Sequence, residues 1–179
     1  MTTTRLEQLA KEFQEHLGQI DELTLVVLKG HLLIEESLDK IISTFVFHPE
    51  MLEPARLSFA QRVAIARAIS LDEHENSMWE LVLAINTLRN DLAHNLRSPR
   101  RVQRTERVFS LLDHESRNAE GPSPQLPAGP EHGRMAVAIA LSLGFLSSFQ
   151  AEVERFKDLV STLDGAVNPH RYEGGASAP

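Results

Sequence analysis

The sequence predicts an all-α protein, a single bundle of about five to six helices. Three observations carry that expectation. Apolar residues recur at three- and four-residue spacing along nearly the whole chain, and no stretch alternates cleanly enough for a sheet. Leu, Ile, Val and Ala are abundant while aromatic residues make up 6% of the 179, a balance that suits helices packed on helices. Proline, glycine and serine gather at a few positions and cut the pattern into helix-length pieces.

In chain order the pieces fall near residues 4–17, 20–46, 58–70, 75–97, 99–114 and 132–164. In the second helix Val27, Leu28, Ile34, Leu38, Ile41, Ile42 and Phe45 make one stripe. His31 and Glu35 lie inside it, whereas Glu36, Asp39 and Lys40 lie away from its centre. A carboxylate facing a core is costly unless paired, so Glu35 predicts a cationic partner. His48-Pro49 and Glu53-Pro54 bracket a loop, and Ser58 is placed to cap the next helix. The helix over 75–97 turns Met78, Leu81, Ile85, Leu88, Leu92 and Leu96 inward, with Arg89 within about 40° of Ile85 on that face. Arg89 is thus the cation expected to meet Glu35. Ser98-Pro99 ends this helix and starts the next, serine as cap and proline at the first position.

The run from Gly121 to Pro130 is too rich in proline and glycine for regular structure, and a mobile loop is expected over about 116–131. One domain, 1–164, is expected, with a disordered tail over 165–179. The apolar run Met135–Phe149 contains Ser142, Ser147 and Ser148 and falls short of the ~20 residues that cross a bilayer, so it reads as a core helix.

Composition narrows the chemistry. The absence of cysteine excludes disulfides, thiolate zinc sites and a cysteine nucleophile, and fits a reducing cytoplasm. The N-terminus has no apolar signal-peptide core, so neither export nor a membrane is expected. The net charge of −7 argues against a protein that coats nucleic acid with its whole surface. There is no glycine-rich phosphate loop, His-Glu-x-x-His pair or nucleophile elbow, and no cofactor is called for. His31 and Glu35 have the i, i+4 spacing of two metal ligands but no evident third, so no metal site is assigned. Asp72, Glu73, His74 and Glu75 cluster between helices and are explained by helix capping, and His16, His48, His114, His132 and His170 are isolated in the sequence.

Chemistry is concentrated in Leu88-Arg89-Asn90-Asp91-Leu92-Ala93-His94-Asn95-Leu96. Arginine holds phosphate bidentately and stays charged at any working pH, while histidine moves a proton near neutrality. Asn86, Asn90, Ala93 and Arg97 form a stripe with Arg89 at one margin and His94, about 140° away, at the other. That stripe can border a cleft, or face a second copy across a dimer axis. Arg89, Arg97, Arg100, Arg101, Arg104 and Arg107 face only Asp91 and Glu106 in the same interval, six charges against two and a local balance of +4. Arg100, Arg104 and Arg107 share a helix face opposite Val102, Phe109 and Leu112, so a basic ridge beside the stripe is expected to bind RNA phosphates.

This arrangement resembles the motif of HEPN domains: arginine, a polar residue, and a histidine a few positions on, in a long helix. The preceding Lys29-Gly30-His31-Leu32-Leu33-Ile34-Glu35 helix agrees with it, and the resemblance spans roughly residues 20–115. The resemblance implies a metal-independent endoribonuclease of toxin, antiviral or RNA-processing systems, working as a homodimer and held in check by a cognate antitoxin or regulatory protein. Carried over by position, His94 would be the acid-base residue, Arg89 the phosphate ligand and Asn90 the adjacent polar residue. Asn86, Arg97, Arg100, Arg104 and Arg107 would contact RNA, with Glu35 and His31 behind them. Active HEPN examples often carry a tyrosine shortly after the histidine; Asn95, Leu96 and Arg97 stand there instead. The chain is also similar to the helical mannitol-repressor group, and the competing expectation is a non-catalytic interaction or regulatory module in which Arg89 neutralises Glu35 and the long 132–164 helix mediates association. Direct repression through DNA ranks last, because no helix-turn-helix signature is present.

Overall fold

The computed structural model describes residues 20–70, 76–94, 98–118 and 129–171, with residues 5, 7–9, 11 and 18. Among these the chain is all-α: α1 (Glu22–Phe45), α2 (Phe59–Ala68), α3 (Ser77–His94), α4 (Arg101–Asn118) and α5 (Glu131–Val167), with single 3-10 turns at Pro49–Met51, Glu53–Ala55 and Pro169–Arg171. The helix expected over 4–17 lies largely outside the described residues, as do 95–97, 119–128 and the end of the tail. Two boundaries differ from expectation. α4 continues to Asn118, past the expected boundary near 116, and α5 to Val167, past 165, followed by a turn over Pro169–Arg171.

Helix starts follow their chemistry. Asp21 accepts from the Thr24 amide at 2.9 Å and caps α1. Ser58 and Gln61 form a reciprocal capping box that fixes the start of α2.

α1 and α5 are the spine of the bundle and run parallel. His132 pairs with Glu22 at their N-terminal ends (3.0 Å), and Lys157 reaches the Val46 carbonyl at the other end (3.0 Å). Between those ties the backbones approach closely at Gly30, where an added Cβ would lie 2.3 Å from Ile139 Cδ1 and 2.8 Å from two further carbons of that side chain. No side chain larger than hydrogen fits there without moving Ile139.

α3 lies antiparallel to this pair. Trp79, near its start, meets Phe145 and Phe149 of α5 edge to face at 4.9 and 5.8 Å, and Asn86, two turns on, meets His31 of α1. α4 folds back along α3, tied at one end by Arg104 to Asp91 and at the other by Ser77 to Glu115.

The expected inward face of α3 is buried from Met78 to Leu92, and Trp79 and Val82 are buried with it because α5 covers a second side. In α1 the stripe is buried except for Leu28 and Phe45, which are half-exposed. The frame of α4 differs: Val102 is 67% exposed, and Thr105, Val108, Leu111, Leu112 and Ser116 form the seam. Phe109 sits at its margin under Arg134, whose guanidinium carbon is 4.3 Å from the ring centre.

The core-helix reading of Met135–Phe149 holds for its packing: Met135, Ala138, Ile139, Ser142, Leu146 and Phe149 are buried against the other helices. By length and composition alone α5 as a whole is long and apolar enough to span a membrane.

Candidate functional site

The interface of α1 with α2 and α3 holds a buried histidine and an ion-pair cluster. His31 is 3% exposed. Its Nε2–H donates to Asn86 Oδ1 (3.0 Å), and its ring stacks on Phe59 of α2 at 4.6 Å between centres. Nδ1 has no hydrogen-bond partner and faces Glu35 Oε2 at 3.9 Å. Burial pushes the imidazole below the ordinary histidine range; the Asn86 hydrogen bond opposes this, the Arg89 charge reinforces it, and Glu35 opposes it. His31 is therefore a neutral, internal group.

Glu35 does have a cationic partner, and it is not Arg89. Arg62 of α2 donates through Nη1 to Glu35 Oε1 at 2.9 Å, through Nε to Asp39, and to the Leu57 carbonyl. The expected Arg89–Glu35 pair is thus replaced by an Arg62–Glu35–Asp39 cluster. The reason is packing: α2 lies against the Glu35 side of α1, and its guanidinium arrives first. A sequence signal for Arg62 existed. It stands three residues from Phe59 and next to Val63, on the side of α2 that is buried.

Arg89 is left with a neutral contact. Its guanidinium Nη1 donates to Asn90 Oδ1 at 3.2 Å, and among the described residues it meets no carboxylate. The nearest acid in sequence, Asp91, accepts from Arg104 Nε at 3.3 Å. Arg89 is half-buried, and Asn90 and His94 are exposed, His94 being the last residue of α3. Arg89 and His94 are separated by about 7.5 Å along the helix axis and do not share a face, but Asn90 stands one turn before His94 and touches Arg89. The three follow one another along the last two turns of α3, from half-buried Arg89 to exposed His94, and Asn86, one turn before Asn90, bonds His31.

The basic ridge is partly spent. Arg101 pairs with Asp21, whose carboxyl burial tends to raise but which the Thr24 amide and Arg101 hold below its ordinary value. Arg104 is held by Asp91, and with Arg107 it lines a shallow groove of about 160 Å³ between α3 and α4. Arg100 and Arg107 are exposed and have no carboxylate partner among the described residues. Arg97 lies outside those residues. Among the described residues no three His, Asp or Glu side chains gather as a metal site.

No family model matches the chain, nor does any curated protein or solved structure.

Proposed function

We propose that the Arg89–Asn90–His94 strip is an RNA-directed site, and that the protein is a metal-independent endoribonuclease of the kind its HEPN-like motif implies. One observation carries the reading. Among the described residues Arg89 is the one half-buried arginine that meets no carboxylate, while the acids Glu35 and Asp91 are engaged by Arg62 and Arg104. A half-buried guanidinium without a carboxylate partner keeps donors for an incoming anion, and a phosphodiester fits its fork.

In the reaction the ribose 2′-oxygen attacks the adjacent phosphorus. The O2′–P bond forms, the P–O5′ bond breaks, and a 2′,3′-cyclic phosphate and a 5′-hydroxyl result. His94, open to solvent, exchanges the proton that must leave O2′ or reach O5′. Arg89 stabilises the charge that builds on the non-bridging oxygens. Asn90 holds the guanidinium and offers its amide to the same phosphate. Exposed Arg100 and Arg107 give the backbone phosphates of a longer RNA a place to rest. A toxin or antiviral setting, a cytoplasmic location and control by an antitoxin or other regulatory protein belong to the same proposal. The ion pair that the competing reading placed between Arg89 and Glu35 is made by Arg62 instead.

The test is end-labelled single-stranded RNA incubated with the wild type, His94→Ala and Arg89→Ala in excess EDTA. Cleavage to cyclic-phosphate ends by the wild type, lowered at least 100-fold in both variants, is the expected result. Equal background in all three removes the proposal.

A further inference from the structure

α1 ends at Phe45 whereas α5 runs on to Val167, so the aromatic residues of α5 lose their cover as the helix outruns its neighbour. Phe149 is 6% exposed and held nearly perpendicular to Trp79 at 5.8 Å between ring centres. Phe156, two turns on, is 42% exposed and lies parallel to Phe45 at 6.3 Å. These three rings wall a hollow of about 220 Å³, with Ile69 and Val153 between them. Ala68 and its cap Ile69, the C-terminal end of α2, close one side of it. Glu152 stands at its margin, exposed and paired with no cation among the described residues.

Three features of this hollow share one electrical sign. Aromatic faces carry partial negative charge, the carbonyls that end a helix do the same, and Glu152 carries a full charge. No Arg, Lys or His among the described residues lines it. The walls are otherwise apolar, so a metal ion or a bare ammonium would give up more hydration than these groups return. A cation whose charge is spread over methyl groups meets both demands. We propose that the hollow binds a small quaternary ammonium compound, its methyl groups against Phe45, Phe149 and Phe156 and its charge balanced by Glu152 and the end of α2. The volume lies below the ~300 Å³ at which pockets for drug-sized ligands begin, which limits the occupant to a head group with a short arm. An anion would meet Glu152 and the helix end, and a neutral hydrocarbon would crowd the Glu152 carboxylate with nothing to offset its lost water. The chain uses the same chemistry next door. On the other side of Phe156, in a second hollow of about 300 Å³, Lys157 places its Nζ 5.5 Å from the centre of the Phe47 ring and donates to the Val46 carbonyl. The chain's own ammonium is thereby spent in the second hollow and leaves the first to a ligand. The site is independent of the RNA reading: Trp79, which backs Phe149, stands ten residues or ~15 Å before Arg89 on α3, at the other end of the bundle.

The test is an NMR titration of the full chain, following its amide signals, with choline, with tetramethylammonium and with the neutral isostere of choline in which tert-butyl replaces trimethylammonium. Both cations are expected to bind with a Kd at or below about 1 mM, and the isostere at least about tenfold more weakly. Phe156→Leu keeps apolar bulk but removes a ring, and Glu152→Gln keeps the shape but removes the charge; each should raise the choline Kd about three- to tenfold. Both residues are exposed, so the helicity of the variants, read by circular dichroism, should equal that of the wild type. No shift of any signal up to about 20 mM choline overturns the proposal. An isostere that binds as well as choline overturns it too, because the hollow is then merely apolar. A choline Kd indifferent to either substitution places the cation elsewhere and overturns it as well.

Discussion

Two polar regions meet on α3, and they differ in how their charges are settled. On the α1–α2 side every acid inside the packing has a guanidinium: Arg62 serves Glu35 and Asp39 together, and His31 is neutral and held by Asn86. Around the C-terminal end of α3 and the start of α4, Arg89 meets an amide, Arg100 and Arg107 are exposed and His94 is exposed at the helix end, while Arg104 is held by Asp91. The first region is built as a bundle must be built, because a half-buried charge without a partner costs stability. The second leaves Arg89, Arg100 and Arg107 without a carboxylate partner among the described residues. Charge that stability does not require is where a ligand is to be sought.

The contrast is broken most sharply by removing Arg62. Arg62→Ala strands Glu35, 29% exposed, beside His31 and releases the Leu57 carbonyl; about 2 kcal/mol of stability should be lost, read by urea denaturation. A smaller loss, about 1 kcal/mol, is expected for Ser58→Ala, which opens the capping box that presents Arg62 to α1. The pH dependence is smaller again. The folded protein holds the His31 imidazole below its ordinary value of 6.5, so the unfolded chain takes up that proton first. This contribution is intact above about pH 6.5 and is lost as pH falls below it. Thermal unfolding should show a decline of the midpoint between pH 7.5 and 5.5 that His31→Gln reduces; an identical decline in the variant would remove His31 from the account. The smallest effect belongs to the open region: Arg89→Ala and His94→Ala should each change stability by no more than about 0.5 kcal/mol. A loss from Arg89→Ala as large as that from Arg62→Ala would merge the two regions and make Arg89 structural.

Much of the bundle was legible from residue spacing alone, because burial follows the 3.6-residue period wherever a helix is covered from one side. The stripe of α1 and the face of α3 were read that way, and Ser58 was found by its cap chemistry. The exceptions have physical causes. Trp79 and Val82 were missed because α3 is covered from two directions, which widens the apolar arc beyond one face. Val102 was placed inward and is exposed because its helix is anchored by Thr105, Val108 and Leu112, whose spacing defines a different frame. The partner of Glu35 was misassigned for another reason. Sequence shows that a carboxylate needs a cation, but which of several arginines supplies it depends on which helix lies alongside, and that is decided by the whole packing. The membership of the Arg89–Asn90–His94 strip was legible because its residues are neighbours on one helix. The lack of a carboxylate at Arg89 among the described residues was not, since Glu35 and Asp91 are taken by Arg62 and Arg104.

The missing side chain at Gly30 acts as a notch, and Ile139 is the peg seated in it. Two parallel rods keyed at one point cannot slide by a turn, ~5.4 Å, without driving the peg into backbone. The amount of α5 left hanging beyond its neighbour is therefore metered far from its free end, by a position that carries only hydrogen.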